Sequence, residues 1–446
     1  LQAMNPRLID TLTWSAAGAL ALATLWLLTR NILAIPLHVP LDPNEGWNAA
    51  HTIAATLYPP PQSLMVNNYP PLSFYLIRAL TRHGSDPVIA GRWVCLISFL
   101  CVSGGIAAAL RAMDCRPHAF ALAALFFAAL LLIASDYVGM NDPQLLGHAV
   151  QIAALLLLLR ERVVAAALLF AVSLFIKHNL LAMPLASAIW LLVQDRRAGL
   201  QFILWGTAFA LAGLVAFQLF FHTSLLAQLA SPRLSSMANL GAAVSHLWWV
   251  LLPATAMAGL WPDRTSLFCT LYGTAALGLG LIFAAGDGVD ANAFFDLAIA
   301  LSLGLGLTVE RGRWPILAAA SALPPLLFLA LHLHDSNYFF TRSFADETAR
   351  DIAFLKSRPG PALCDGLLLC LWAGKGAEVD VFNIGEQIKT GARDPAPLTA
   401  MIASRRFGVL QLPDLDALGP SVRAAIEKNY RADHSNDNGT FLIPAL

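Results

Sequence analysis

Residues 12–47 read LTWSAAGALALATLWLLTRNILAIPLHVPLDPNEGW. The stretch 12–35 carries one charge, Arg30, and is long enough at 1.5 Å per residue to cross a hydrocarbon core about 30 Å thick. Pro36 ends it, and two carboxylates follow almost at once in Leu41-Asp42-Pro43-Asn44-Glu45-Gly46-Trp47. An apolar helix that delivers paired acids to the edge of a bilayer predicts a membrane protein whose chemistry sits at the lipid surface.

The rest of the chain repeats the first half of that pattern. Further apolar runs occupy 87–110, 118–135, 143–159, 163–176, 179–193, 199–221, 241–260, 267–285, 293–309 and 314–331. This predicts a mostly α, polytopic transmembrane bundle of about eleven spans. The short runs either side of Lys177-His178-Asn179 fit two tilted helices or a re-entrant pair. Composition agrees: of 446 residues 57% are hydrophobic and 13% charged, against about 25% charged in soluble domains. A net charge of zero argues against nucleic acid as a partner. Leu1-Gln2-Ala3 ahead of Met4 reads as a cloning scar, and with no cleavable signal evident the first run is expected to stay in the membrane.

Arginine sets the orientation. With the N-terminus inside, the short inner loops hold Arg111, Arg116, Arg160, Arg162, Arg196, Arg197, Arg264, Arg311 and Arg313, while the short outer loops hold Lys177 and Arg233. The same parity places 36–86, Ser135–Asp142, Asp287–Asn292 and the polar tail on the outer face. In the first loop, Asn44 is a candidate cap for a helix through Trp47, Ala50, Ala54 and Leu57. Pro59-Pro60-Pro61 stops it, and a second amphipathic run covers Leu72 to Leu80. The division expected is a membrane domain at 1–334 and a small soluble α/β domain at 335–446. In the latter, helix patterns at 344–357, 397–406 and 421–430 alternate with strand-like runs at 367–372, 379–382, 408–412 and 440–444.

The six cysteines form neither a metal pattern nor a disulfide framework. Cys364 and Cys370 share the tail; extended chain holds them too far apart to bridge, whereas Asp365-Gly366 could turn it.

Several polar residues are candidates for chemistry. Asp42 and Glu45 have the residue type for a general base and for a metal or sugar ligand, and equally for capping a helix at its positive end. Asp136 and Asp142 flank a very short outer turn, so both stay at the surface; Asp142 also suits an N-cap. Lys177 suits a lipid phosphate or simple snorkelling, with His178, His222 and Arg233 as further candidates. Asp287, Asp290 and Asn292 suit substrate binding or, more simply, a solvated loop, and Trp248, Trp249 and Trp261 read as interfacial belts.

The order of these features resembles the GT-C superfamily of membrane glycosyltransferases, and within it the bacterial relatives of protein O-mannosyltransferases and of aminoarabinose transferases of lipid A. The residues that carry the likeness are Asp42-Pro43-Asn44-Glu45-Gly46-Trp47-Asn48, Asn68-Tyr69-Pro70-Pro71-Leu72, Asn141-Asp142-Pro143 and Lys177-His178. The resemblance implies inverting transfer of a sugar from a polyprenyl-phosphate carrier to a cell-envelope glycan or glycolipid acceptor, at the periplasmic face of a bacterial inner membrane. It implies Asp42 as base, Glu45 as ligand of metal or acceptor, Asp142 as second acid, Glu45, Asp142 and Asp136 as the candidate ligands of a metal, and Asn68 and Tyr69 on the substrate side. The departing phosphate needs positive charge, from Lys177, an arginine or a divalent ion (Mg²⁺, Mn²⁺ or Ca²⁺). Many relatives have adjacent Asp-Glu; here Pro43 and Asn44 intervene, so the base stays open between Asp42 and Glu45. The rivals are a polysaccharide ligase or polymerase using lipid-pyrophosphate donors, a non-catalytic scaffold, and a transporter. A transporter would be expected to carry ionisable groups in mid-span, whereas these spans are nearly free of charge, the main exception being Asp296 close to the start of its span.

In a cysteine-free background, a cysteine introduced at 287–292 or in the tail should react with an impermeant maleimide from outside the cell, and one at 196 or 312 should not. The reverse pattern would overturn the assignment of every candidate residue to the outer face.

Overall fold

The computed structural model describes residues 6–332 and 342–445. Leu1-Gln2-Ala3 and the expected domain boundary near 334 lie outside the described residues. The first run becomes α1 (Pro6–Ala34), and the first loop folds into α2 (Pro43–Ile53) and α3 (Leu72–Thr81). There follow α4 (Pro87–Ala112), α5 (Pro117–Ala134), α6 (Gln144–Leu158), α7 (Val163–Ile176), α8 (Ala182–Gln194) and α9 (Arg196–Phe221). After the short α10 (Leu225–Leu229), α11 (Met237–Ser245) and α12 (Leu251–Met257) come α13 (Arg264–Ala284) and α14 (Phe295–Arg311), the latter entered through a 3-10 turn at Ala291–Phe294. The pair α15 (Pro315–Ala320) and α16 (Leu323–Leu331) closes the bundle. Six helices (α1, α4, α5, α9, α13, and α14 with its 3-10 turn) are long and apolar enough to cross a membrane, and shorter apolar helices fill the space between them. The chain is thus a multi-pass membrane protein.

Local chemistry sets the helix starts. Asp86 caps α4 by accepting from Val88 N–H at 2.7 Å with Pro87 in the first turn, and Asp263 and Ser266 form a capping box on α13. The helix α14 is apolar on every side and almost wholly buried, with α4, α5, α12, α13 and α15 packed around it. Two expected spans are broken. The run 241–260 splits into α11 and α12 because Pro253, which cannot donate and would clash with the carbonyl four residues back, is tolerated only in the first turn of a new helix. The run 314–331 splits in the same way at Pro324 and Pro325.

The tail holds α17 (Arg342–Ser357), α18 (Leu367–Trp372), α19 (Val381–Lys389), α20 (Ala396–Ala403) and α21 (Pro420–Asn429). They surround a small mixed sheet of β1 (Ala362–Cys364), β2 (Val409–Leu412), β3 (Tyr430–Asn436) and β4 (Gly439–Pro444) in the order β1-β2-β4-β3, with β1 and β2 parallel and the other pairs antiparallel. The run 367–372, expected as a strand, is helical, and the run 379–382, also expected as one, leads into a helix that begins at Val381. A short continuous apolar run has no period to separate the two states, and Asp380 caps α19 by accepting from Asn383 N–H. Cys364 and Cys370 are bridged, with Cα atoms 6.1 Å apart, which fastens α18 to the end of β1.

The tail docks on the first loop. The indole N–H of Trp47 donates to Asp380 at 2.9 Å, Trp372 donates to the Asp86 cap at 3.1 Å, and Arg393 donates to the Ser63 carbonyl at 3.0 Å. At Gly46 a Cβ would lie 2.6 Å from the backbone nitrogen of Leu368, so α18 rests directly on the main chain of α2.

Gly46→Ala should therefore push α18 away at a cost of about 1–3 kcal/mol, because backbone cannot move aside as a side chain can. Limited proteolysis in detergent should cut the tail of the variant faster while the bundle stays intact. Wild-type protection of the tail would sink this account of the docking.

Candidate active site

Asp42, not Asn44, caps α2. Its backbone is extended (φ −159°, ψ 148°) and its Oδ1 accepts from Asn44 N–H at 2.7 Å. Pro43, with no N–H and a helix-ready φ, occupies the first turn, which moves the cap two residues earlier than a reading centred on Asn44. Glu45 then falls in the first turn and points inward.

Glu45 is fully buried and meets the equally buried Arg92 of α4. Nε and one terminal nitrogen of Arg92 each donate to the carboxylate at 2.7 Å. The remaining guanidinium hydrogens go to the carbonyls of Ile35 (3.2 Å), Leu37 (2.8 Å) and Val39 (2.6 Å). Glu45 also accepts from the backbone N–H groups of Leu41 (3.1 Å) and Asn141 (2.9 Å). Five donors and about four acceptor sites are thereby used. Asn141 sits against α4 where Gly91 has no side chain, since a Cβ there would lie 1.8 Å from its Oδ1. Its carbonyl accepts from Asn48 at 2.9 Å.

This array sets the next residue. Asp142 is buried, accepts from Gln144 N–H at 2.7 Å and lies 3.4 Å from Lys177 Nζ. Lys177 ends α7 with its ammonium 3.8 Å above the Tyr69 ring, and Tyr69 in turn meets Trp47 edge-on at 4.7 Å. Burial works against the charge on Lys177, but Asp142 and Tyr69 outweigh it and hold its pKa above the ordinary value. His178, near Tyr69, is driven down to about 4 by burial and by the charges of Lys177 and Arg233.

Asp42 behaves differently from Glu45. Among the described residues no side-chain cation pairs with it. Burial pushes its pKa up to about 7, against the pull of the Asn44 N–H and with the repulsion of Asp290, Asp142 and Glu45. Asp136 is also raised, by burial and then by Asp290. Beside these acids lies a cavity of about 1250 Å³ whose lining mixes Asp136, Asp290, Arg30 and His246 with the apolar Leu41, Leu130, Trp248 and Phe328.

The structure thus brings together Asp42, Glu45, Asp142, Lys177, Tyr69 and His178. Asn68 is turned to the tail, donating to Asn383 at 3.2 Å, and Asp136 faces the cavity. Arg233 lies over Phe382 at 5.3 Å. His222 is the exposed, left-handed cap that ends α9 (φ 56°) and shares no side-chain contact with these residues among those described. Of the expected metal ligands, Glu45 is committed to Arg92, Asp142 to Lys177, and Asp136 to the cavity. Among the described residues no three His, Cys, Asp or Glu side chains gather as ligands for one ion, so the set read from the sequence does not fit a resident metal. Of the belt tryptophans, Trp261 stacks under Arg313 (3.9 Å), while Trp248 stacks on Phe328. Sequence reasoning missed Arg92, although an arginine inside an apolar span was the available signal. It also missed Asp380, for which the sequence offers none.

No protein-family model and no curated protein matches the sequence. Two solved structures do match in shape: ArnT from Cupriavidus metallidurans bound to undecaprenyl phosphate (TM-score 0.63) and the same protein in the apo state (TM-score 0.61). Each is 14% identical to this chain and aligns over 96% of it and 98% of ArnT. The chain therefore has, over nearly its whole length, the fold of ArnT.

Proposed function

We propose that the chain is an inverting glycosyltransferase that moves a sugar from a polyprenyl-phosphate carrier to a hydroxyl of an envelope glycan or glycolipid, with Asp42 as general base. The observation that carries this is the contrast between the two first-loop acids. Glu45 is locked to Arg92, while Asp42 lies unpaired beside the cavity with a pKa near neutrality, where a base works best. The Asp42 carboxylate takes the acceptor proton as the hydroxyl oxygen attacks the anomeric carbon. The bond from that carbon to the phosphate oxygen breaks, and the polyprenyl phosphate leaves with the electron pair. It needs no proton, only compensating cations, for which Lys177 and Arg233 are the candidates.

The electrostatics divide the substrates. Among the residues that line the cavity the carboxylates Asp136, Asp290 and Asp437 outnumber the one arginine, Arg30, which disfavours a phosphate there, so the donor headgroup belongs on the Lys177 side of Asp42 and the acceptor in the cavity. Undecaprenyl phosphate in the ArnT structure supports a carrier of this class. On this reading residues 1–334 are the membrane catalytic domain of about eleven spans, the two proline-broken runs included. Residues 335–446 form an α/β cover on the periplasmic side of a bacterial inner membrane, where the Cys364–Cys370 bridge persists.

Transfer should be assayed with purified protein and a polyprenyl-phosphate sugar. Because the base must be ionised, kcat/KM should rise with pH through a midpoint near 7 and fall below it. Asp42→Asn should fold normally and lose about two to four powers of ten in rate. A folded Asp42→Asn protein with near-normal transfer would remove Asp42 from the mechanism.

Glu45→Gln should fail in another way. It leaves the Arg92 guanidinium without its counter-charge, at a cost of about 3–5 kcal/mol. Thermal unfolding should show the loss, and added Mg²⁺ or Mn²⁺ should not restore the rate. A stable but inactive Glu45→Gln protein would return Glu45 to the chemistry.

For the donor, Lys177→Ala should raise its KM and Lys177→Arg should recover part of the loss. An unchanged KM in the alanine variant would leave Lys177 as a partner of Asp142 alone.

A further inference from the structure

Beneath the Asp142–Lys177 pair the bundle holds a second polar group that the proposed transfer does not use. Gln144 and His148 of α6, Asn179, and Asp296 at the start of α14 converge inside the apolar bundle. Gln144, Asn179, Asn292 and Asp296 line a void of about 10 Å³, room for a single water-sized sphere.

The hydrogen bonds fix which atoms face one another. The Gln144 amide nitrogen donates to the Asn292 carbonyl at 3.4 Å and approaches His148 Nε2 at 3.3 Å. The Asn292 oxygen can only accept, so the amide cannot be flipped. Gln144 Oε1 is left buried with no donor, in a side chain 2% exposed. Because the amide nitrogen donates to it, His148 Nε2 must be the acceptor. The histidine is then neutral, its proton on Nδ1, which stands 4.0 Å from the Asp296 carboxylate. Asn179 Oδ1 is likewise buried with no donor.

Asp296 accepts one hydrogen bond, from the Tyr272 hydroxyl at 2.6 Å. Among the described residues its nearest basic side chain is that neutral histidine. Asp296, Gln144 and Asn179 all line the void, and between them they carry a carboxylate and two buried amide oxygens that accept from no donor. A water would satisfy two of these acceptors and supply no charge to offset the burial that works against an ionised Asp296. One carboxylate with neutral oxygens balances one positive charge, and a dehydrated sodium ion has the size of the space. We propose that this void is a binding site for one Na⁺, held by Asp296, Gln144 Oε1 and Asn179 Oδ1. Bound there, the ion braces the turn that carries Asp142 and the loop that carries Lys177. The proposal does not rest on the transferase reading.

Thermal unfolding of the purified full chain in detergent tests it, in NaCl, KCl and choline chloride at equal ionic strength. Sodium should raise Tm saturably by a few degrees over choline, with potassium weaker. Gln144→Leu and Asp296→Asn should each abolish the difference. Equal Tm in all three salts, meaning a void that holds water only, would overturn the proposal. So would a sodium-specific rise that survives Gln144→Leu, a variant that leaves the buried charge in place and so keeps the test valid should Asp296→Asn not fold.

Discussion

Everything at the site hangs on the pairing of Glu45 with Arg92. Inside a bilayer no water is available to take over a lost hydrogen bond, so a guanidinium there must find five acceptors within the protein. Its donors diverge in a rigid fork and are shared between two segments. The carbonyls of Ile35, Leu37 and Val39 come from the chain leaving α1, the carboxylate from α2, and Asn141 joins through that carboxylate. A pair of apolar residues could fill the same volume with similar stability. It could not dictate where three strands of irregular backbone run, and that path is what places Asp42 and Asp142.

The two first-loop acids show how three residues of separation can divide structure from chemistry. Glu45 faces inward, where its charge is matched, and Asp42 remains at the helix start among like charges. Burial, and after it the repulsion of Asp290 and Asp142, raises the Asp42 pKa to about 7, which suits the base proposed for it. Asp142 can do this because Lys177 carries its counter-charge within the cluster.

The membrane bundle was largely legible because its signal is summed over long windows, and the order of acidic loops carried the resemblance to the GT-C transferases. Hydropathy does not see a single proline, so the breaks at Pro253 and Pro324-Pro325 disappeared into apolar averages. The same averaging hid Arg92 within the run 87–110. Spacing could place Asp42 and Glu45 on one turn but could not say which of them would meet a cation carried 47 residues away. In the tail, β3 escaped notice because an exposed edge strand made of Arg431, Asp433, His434 and Ser435 has no apolar alternation to betray it.

The contact between α18 and the backbone of α2 has a consequence for the order of assembly. Trp47 and Asp380 are 333 positions apart, so the helix that begins at Asp42 is packed by residues that leave the ribosome long after it does. Loop closure over that distance cannot precede synthesis of the tail. During biogenesis the bundle can therefore insert, span by span, with its acidic loop still open, and the packing around Asp42 is completed only when the last hundred or so residues have folded. A prematurely terminated chain would keep its membrane helices yet lack the surface against which its first-loop helix is set.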